Sequence, residues 1–132
     1  MMFVEDVIKL AEEKGYKPQE IKPRDIIELG DFGNIWIRRQ TYEKAGFFHH
    51  GHKHDHDHVT LVVQGKALIE KEGYEPQIVE AEDWTYIQAN VHHEIVALED
   101  DTHIFCLFAM RDIETDEVVE AKRKWERRIT VV

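Results

Sequence analysis

The chain has 132 residues, of which 42% are hydrophobic and 33% charged, and its formal net charge at neutral pH is −10. This length is enough to bury one hydrophobic core, so we expect a single domain. The acidic excess disfavours a nucleic-acid partner, because the phosphate backbone would be repelled. The sequence has no apolar run near the roughly 20 residues of a membrane span, no signal-peptide-like segment and a single cysteine, Cys106. These features predict a cytoplasmic protein without a membrane partner.

The N-terminal region has the pattern of a helix followed by an extended arm. Apolar residues at helical spacing predict a short amphipathic helix over residues 3–14, and Gly15 is a suitable stop. Residues 17–33 contain prolines and glycines and are expected to form a connecting arm. Within the arm, residues 25–29 have the composition of a short edge strand, to which a second chain could add.

A strand is predicted over residues 35–42, where side chains alternate between two faces. One face carries Ile35, Ile37, Arg39 and Thr41. The other carries Trp36, Arg38, Gln40 and Tyr42. The second face could line a polar pocket or coat the outside of a sheet, and the strand alone does not decide between these alternatives.

Residues 46–65 hold six of the nine histidines, namely His49, His50, His52, His54, His56 and His58. Imidazole is the commonest protein ligand of transition metals, so this density predicts a metal site, although a solvated loop that binds ions loosely would look similar. On one straight strand His52 and His58 would lie roughly 20 Å apart, too far for one ion. The acidic residues Asp55 and Asp57 suit a chain reversal, which would bring His58 back beside His52 and His54.

After this stretch, short strands are predicted at regular spacing, over residues 59–64, 66–71, 77–79, 84–87, 92–98 and 103–110. Many short strands indicate a β-sandwich or barrel, hence an all-β fold. The residues from 115 to 128 place Val118, Ala121 and Trp125 at helical spacing among many charges. This pattern fits either a C-terminal helix or a mobile tail.

The spacing Gly46-x5-His52-x-His54-x3-His58-x6-Gly65 resembles the first motif of the cupins, G-x5-H-x-H-x3-E-x6-G. The one departure is His58, which stands where the motif usually has Glu. A looser match to the second motif, EDWTYIQANVHHEIVA, includes His93 in the ligand position, with Glu82 and Asn90 in the positions of glycines. The run HKHDHDHVTLV and residues 108–112 are similar to those of small single-domain cupins of bacteria and phages, and the resemblance covers residues 34–115.

The resemblance implies a jelly-roll β-barrel over residues 34–115, preceded by the helix and arm of residues 1–33 and followed by a tail of residues 116–132. It implies a divalent Fe, Mn, Ni or Zn ion held by His52, His54, His58 and His93. Four neutral ligands leave the full charge on the ion, which would attract anionic small molecules. An octahedral ion would keep two positions for substrate, whereas zinc would be closed in a tetrahedral structural site.

Cupins with a metal include dioxygenases, lyases and isomerases, so the resemblance implies a metal-dependent enzyme acting on a small molecule. The candidate acid–base and binding groups are Arg38, Gln40, Tyr42 and Tyr86. The alternative is a non-catalytic sensor or metal buffer, for which the extra histidines His49, His50 and His56 would be suited. By strand parity His92 should point away from the site, and His103 is expected at the surface or behind the ligands. We also expect a homodimer, as is common among cupins of this size.

Overall fold

A computed structural model describes residues 2–32, 35–51, 53 and 56–109. The helix α1 spans Met2–Glu13, and a single 3-10 turn spans Pro23–Asp25. The strands of the described part are β1 (Ile26–Phe32), β2 (Ile35–Tyr42), β3 (Phe48–His49), β4 (His58–Gln64), β5 (Lys66–Lys71), β6 (Gln77–Glu80), β7 (Trp84–Ile87), β8 (His93–Ala97) and β9 (Thr102–Ala109). The predicted N-terminal helix and the predicted β-rich fold are both confirmed.

The strands form two antiparallel sheets that enclose the core. The larger sheet has the order β1-β2-β9-β4-β7 and the smaller one the order β3-β8-β5-β6. Alternate residues of both sheets point inward and form one buried cluster, which includes Tyr42, Val62, Ile69, Ile95 and Ile104. This arrangement is the jelly roll that the sequence predicts, with β1 as the expected edge strand. The predicted C-terminal helix or tail of residues 116–132 lies outside the described residues.

Strand β2 supplies the inner surface from which the site is built. It pairs with β9 in a regular antiparallel register, so that Arg38 lies opposite Cys106 and Trp36 opposite Phe108. Directly opposed residues share a face, and Gln40 and Tyr42 on this face are buried. Of the two alternatives left open by the sequence, the face that carries Trp36 and Arg38 is therefore the inner one.

The histidine-rich stretch crosses from one sheet to the other. Strand β3 pairs with β8 in the smaller sheet, whereas β4 pairs with β7 and β9 in the larger sheet. Asp55 lies outside the described residues, and the connection from β3 to β4, for which the sequence predicts a reversal, passes between the two sheets. Asp57 anchors its end, because its carboxylate accepts hydrogen bonds from the backbone N–H of Ala89 at 2.6 Å and from the hydroxyl of Tyr86.

The N-terminal region packs against the end of the barrel near the histidine stretch. The hydroxyl of Tyr16, just after α1, donates to Oδ2 of Asp100 at 2.9 Å, and the backbone N–H of Ala45 donates to Oδ1 of the same carboxylate at 3.0 Å. Gly46 lies so close to Ala11 that a Cβ atom on Gly46 would be 2.1 Å from the Ala11 methyl group. Within the described residues, no helix is long and apolar enough to cross a membrane.

Candidate metal centre and adjoining cavity

His58 and His93 are brought together inside the barrel from different sheets. Each is the first residue of its strand, β4 and β8 respectively, and their exposed fractions are 5% and 7%. Their ring centroids are 5.2 Å apart and the rings are tilted by 59°. Two imidazoles bound to one ion at about 2.0–2.1 Å per bond would have centroids about 5 Å apart. The pair therefore has the spacing of two ligands of one metal ion.

A small cavity lies beside this pair. Its volume is about 10 Å³, which is close to the space that one water molecule or one ion requires. His58 and His93 line it together with Arg38, Gln40, His49 and Cys106. Polar and ionisable side chains thus converge on a space of the size of a single ion.

Gly51 brings the middle of the histidine stretch against His93. A Cβ atom on Gly51 would lie 1.0 Å from the backbone oxygen of His93, so only glycine fits there without rearrangement. His52 follows directly in the chain, but both His52 and His54 lie outside the described residues. Among the residues that are described, no group of three or more His, Cys, Asp or Glu side chains could hold a metal. Of the four predicted histidine ligands, the structure therefore gives the relative positions of two, His58 and His93.

The backbone around the second motif retains left-handed conformations at two positions where the cupin motif has glycine. Glu82 has φ of 72° and Asn90 has φ of 62°. The side chains differ from the motif, but the turns before and after β7 keep a conformation that glycine adopts most easily. This backbone supports the alignment that puts His93 in the ligand position.

A larger cavity of about 290 Å³ adjoins the small one. The two share the side chains of Arg38, His58 and Cys106. The rest of the larger cavity is aromatic, formed by Trp36, His56 and Phe108. The candidate metal centre therefore opens onto a space with an aromatic wall.

Arg38 stands at the junction of the two cavities. Its guanidinium carbon is 5.0 Å from the centroid of the Trp36 ring, a cation–π contact. Its Nε is buried and has no hydrogen-bond partner among the described residues. Burial raises the pKa of the Cys106 thiol, while a hydrogen bond with Thr60 and the charge of Arg38 lower it by less. The thiol is therefore neutral at neutral pH.

The four candidate catalytic residues fall into two groups. Arg38 and Gln40 line the small cavity. Tyr42 is fully buried in the core, where burial raises its pKa well above the usual value, and its hydroxyl donates to Oε1 of Gln40 at 2.9 Å. Tyr86 is 41% exposed and bonds Asp57 instead. Neither tyrosine lines the two cavities, and the roles predicted for all four residues stay predictions.

The remaining histidines have distinct environments. His56 stacks on Phe108 of β9, with ring centroids 3.9 Å apart. The His92 side chain is 45% exposed, and its Nε2 lies 3.6 Å from a carboxylate oxygen of Glu94. His103 lies on the face of β9 opposite to Cys106. The sequence did not single out Phe108 as a cavity residue; its register opposite Trp36 was the missing information.

No family model matches the chain, and no curated protein does. Many solved structures are similar, and one of them is KdgF from Halomonas sp., with 24% identity over 75% of this chain and 90% of that one, at a TM-score of 0.59. A cupin-2 domain containing protein from Shewanella frigidimarina is 14% identical over 83% of this chain and all of that one, at a TM-score of 0.54.

The DMSP lyase DddQ from Ruegeria pomeroyi is also similar, with 16% identity and a TM-score of 0.54. That match covers 63% of this chain but only 41% of the lyase. At these identities the likeness establishes the fold.

Proposed function

We propose that this chain, a small cupin-domain protein by its fold, binds one divalent transition metal through His52, His54, His58 and His93. We propose further that it is an enzyme acting on a small anionic molecule by dioxygenase, lyase or isomerase chemistry. The observation that carries the proposal is the pairing of His58 and His93, buried at 5.2 Å between ring centroids and beside an ion-sized cavity. All four proposed ligands are imidazoles, which suit Fe, Ni or Zn.

The connection between the two cavities favours chemistry over a closed structural site. His58 lines both the ion-sized cavity and the larger one, so a molecule in the larger cavity would meet the metal-binding end of the site. A bound divalent metal would supply Lewis-acid chemistry or a place for O₂ and substrate side by side. A fully enclosed four-ligand site would need no adjoining space.

The residues that surround the proposed metal position have different roles. Arg38 provides a positive charge at the junction of the cavities, which attracts and orients an anion. The Tyr42 hydroxyl donates a hydrogen bond to Oε1 of Gln40. This bond holds the amide of Gln40 in one orientation beside the small cavity. Cys106 contributes a neutral, buried side chain to the wall of both cavities. The similarity to a DMSP lyase supports keeping lyase chemistry among the proposed reaction types.

A non-catalytic metal buffer or sensor is the second candidate. It is favoured by the extra imidazoles near the site, because His49 and His50 also line the small cavity and the His50 side chain is 65% exposed. An accessible imidazole beside a metal centre could pass ions in and out.

Elemental analysis of untagged protein, after dialysis against metal-free buffer, tests the proposal. One tightly retained Fe, Mn, Ni or Zn per chain is the expected result. Several ions per chain, lost on dialysis, would favour the buffer. A protein that neither retains nor takes up a divalent ion would contradict both candidates.

A further inference from the structure

We propose that the larger cavity binds a small carboxylate with a flat apolar body, and that Arg38 holds the carboxylate. The inference rests on the proposed function, because the cavity shares His58 with the candidate metal centre. It adds the chemical class of the substrate and the residue that selects it.

The first support is the charge of the cavity. Among the described residues that line it, Arg38 is the one permanent charge and none is acidic. A cationic space is unexpected in a chain whose formal net charge is −10. Because no described acidic side chain lines the cavity, the charge of Arg38 favours an anion there.

The second support is the buried Nε of Arg38, which has no hydrogen-bond partner among the described residues. A buried polar group without a hydrogen-bond partner is unfavourable, because it has lost its contacts with water. A carboxylate is the ligand that satisfies it best, because its two oxygens can accept from Nε and a terminal nitrogen of the same planar guanidinium. The stacking of Arg38 on Trp36 leaves the edge of the guanidinium as its donor surface.

The third support is the aromatic wall. The rings of Trp36 and Phe108 are 4.7 Å apart between centroids, and His56 stacks on Phe108 at 3.9 Å. These three rings give the cavity an aromatic lining, against which a planar apolar body packs favourably. A hydrated polar body, such as a sugar ring, would be matched less well by this surface.

The fourth support is size. Small-molecule sites in proteins usually have volumes of about 300–1,000 Å³. The cavity, at about 290 Å³, lies at the lower end of that range. The space therefore fits a small acid with one ring or a short unsaturated chain.

The inference is tested with benzoate as the probe, by isothermal titration calorimetry on the protein as isolated and after metal removal with EDTA. Benzamide has nearly the same shape without the charge, and acetate has the charge without the ring. Benzoate should bind at least tenfold more tightly than either. Arg38→Gln should weaken benzoate binding at least tenfold, and Trp36→Leu should reduce the preference for benzoate over acetate.

Arg39→Gln is the matched control, because Arg39 is the next residue of β2 and lies on the opposite face. It should change benzoate binding less than twofold. Equal binding of benzoate and benzamide to the wild-type protein would overturn the inference without any variant. So would unchanged benzoate binding in a folded Arg38→Gln variant.

The test also separates this inference from the proposed function. If EDTA abolishes benzoate binding and Arg38→Gln does not weaken it, the ion alone holds the carboxylate. The inference then fails while the proposed function stands. If the protein takes up no metal but binds benzoate in an Arg38-dependent manner, the proposed function fails while the carboxylate site stands.

Discussion

His93, the first residue of β8, and His92, which precedes it, provide a comparison at the scale of single residues. His93 is buried beside His58, whereas the His92 side chain is 45% exposed and lies near Glu94. His93→Ala should lower the affinity for a divalent metal by at least about 10- to 100-fold, because the loss of a ligand costs no less than the loss of a residue that only supports a ligand. His92→Ala should leave the affinity unchanged. Chelator competition measures both, and equal losses would show that the second motif is misaligned.

Asp100 is the residue whose ionisation ties the N-terminal region to the barrel. Hydrogen bonds from the Ala45 backbone and from the Tyr16 hydroxyl hold its pKa below the usual value. A depressed pKa in the folded state means that the carboxylate stabilises the fold above the unfolded-state pKa of about 3.9 and loses this effect as the pH falls through the lower folded value.

Asp100→Asn should therefore lower the thermal unfolding midpoint at pH 7. The difference from wild type should shrink as the pH falls from about 4 through the lower folded-state pKa of Asp100, because the carboxylate is protonated first in the unfolded chain and finally in the folded protein. Thermal unfolding followed by circular dichroism across this pH range measures the effect. Asp101→Asn, at the neighbouring exposed position, is the control, and a deficit that stays constant down to pH 3 would contradict the assignment.

At the scale of elements, alternation predicted most strands correctly but could not say which face of a strand is inside. The inner position of Trp36 and Arg38 on β2 could be recognised only from the register with β9. This register pairs Trp36 with Phe108 and Arg38 with Cys106. Strand β3 has two residues, too few for any periodicity. The crossing of the histidine stretch between sheets depends on long-range pairing, and no local pattern in the sequence encodes it.

The turn at Glu82 gives a prediction on stability. Its φ of 72° is a left-handed conformation that is unfavourable for a residue with a Cβ atom by about 1–2 kcal/mol. Glu82→Gly should raise the free energy of unfolding by up to about 1 kcal/mol, since glycine removes the strain but loses more chain entropy on folding. Glu80→Gly, in the regular strand β6, should lower it by roughly 0.5–1 kcal/mol. Chemical denaturation measures both, and a destabilised Glu82→Gly variant would contradict the account.

The whole molecule has an edge strand, β1, whose exposed residues include Ile27 and Leu29, each 38% exposed. We predict a homodimer that uses this edge, because an exposed apolar edge strand readily pairs with another chain. Light scattering at micromolar concentration should give twice the chain mass of 15.6 kDa.

The double substitution Ile27→Asp and Leu29→Asp should give the monomer mass. Ile78→Asp, on the edge strand β6 of the other sheet, should remain dimeric although Ile78 is 61% exposed. A monomeric wild type would refute the dimer. If Ile78→Asp alone gave the monomer mass, the dimer interface would lie on the smaller sheet and not on β1.

The site could be predicted from the sequence as far as the spacing of the histidines allowed. That spacing distinguished His58 from His56, and the structure places His58 beside His93 and His56 on the ring of Phe108. The larger cavity could not be predicted, because its wall is assembled from β2, β9 and the segment before β4.

The central claim is that His58 binds the metal and His56 does not, and metal titration of two variants tests it most directly. Isothermal titration calorimetry with a divalent ion should give wild-type stoichiometry and affinity for His56→Ala. The affinity of His58→Ala should fall sharply, and His58→Glu should largely restore it, because a carboxylate stands at this position of the cupin motif. If His56→Ala abolishes binding while His58→Ala retains it, the ligand register is shifted by two residues and the metal site described here is wrong.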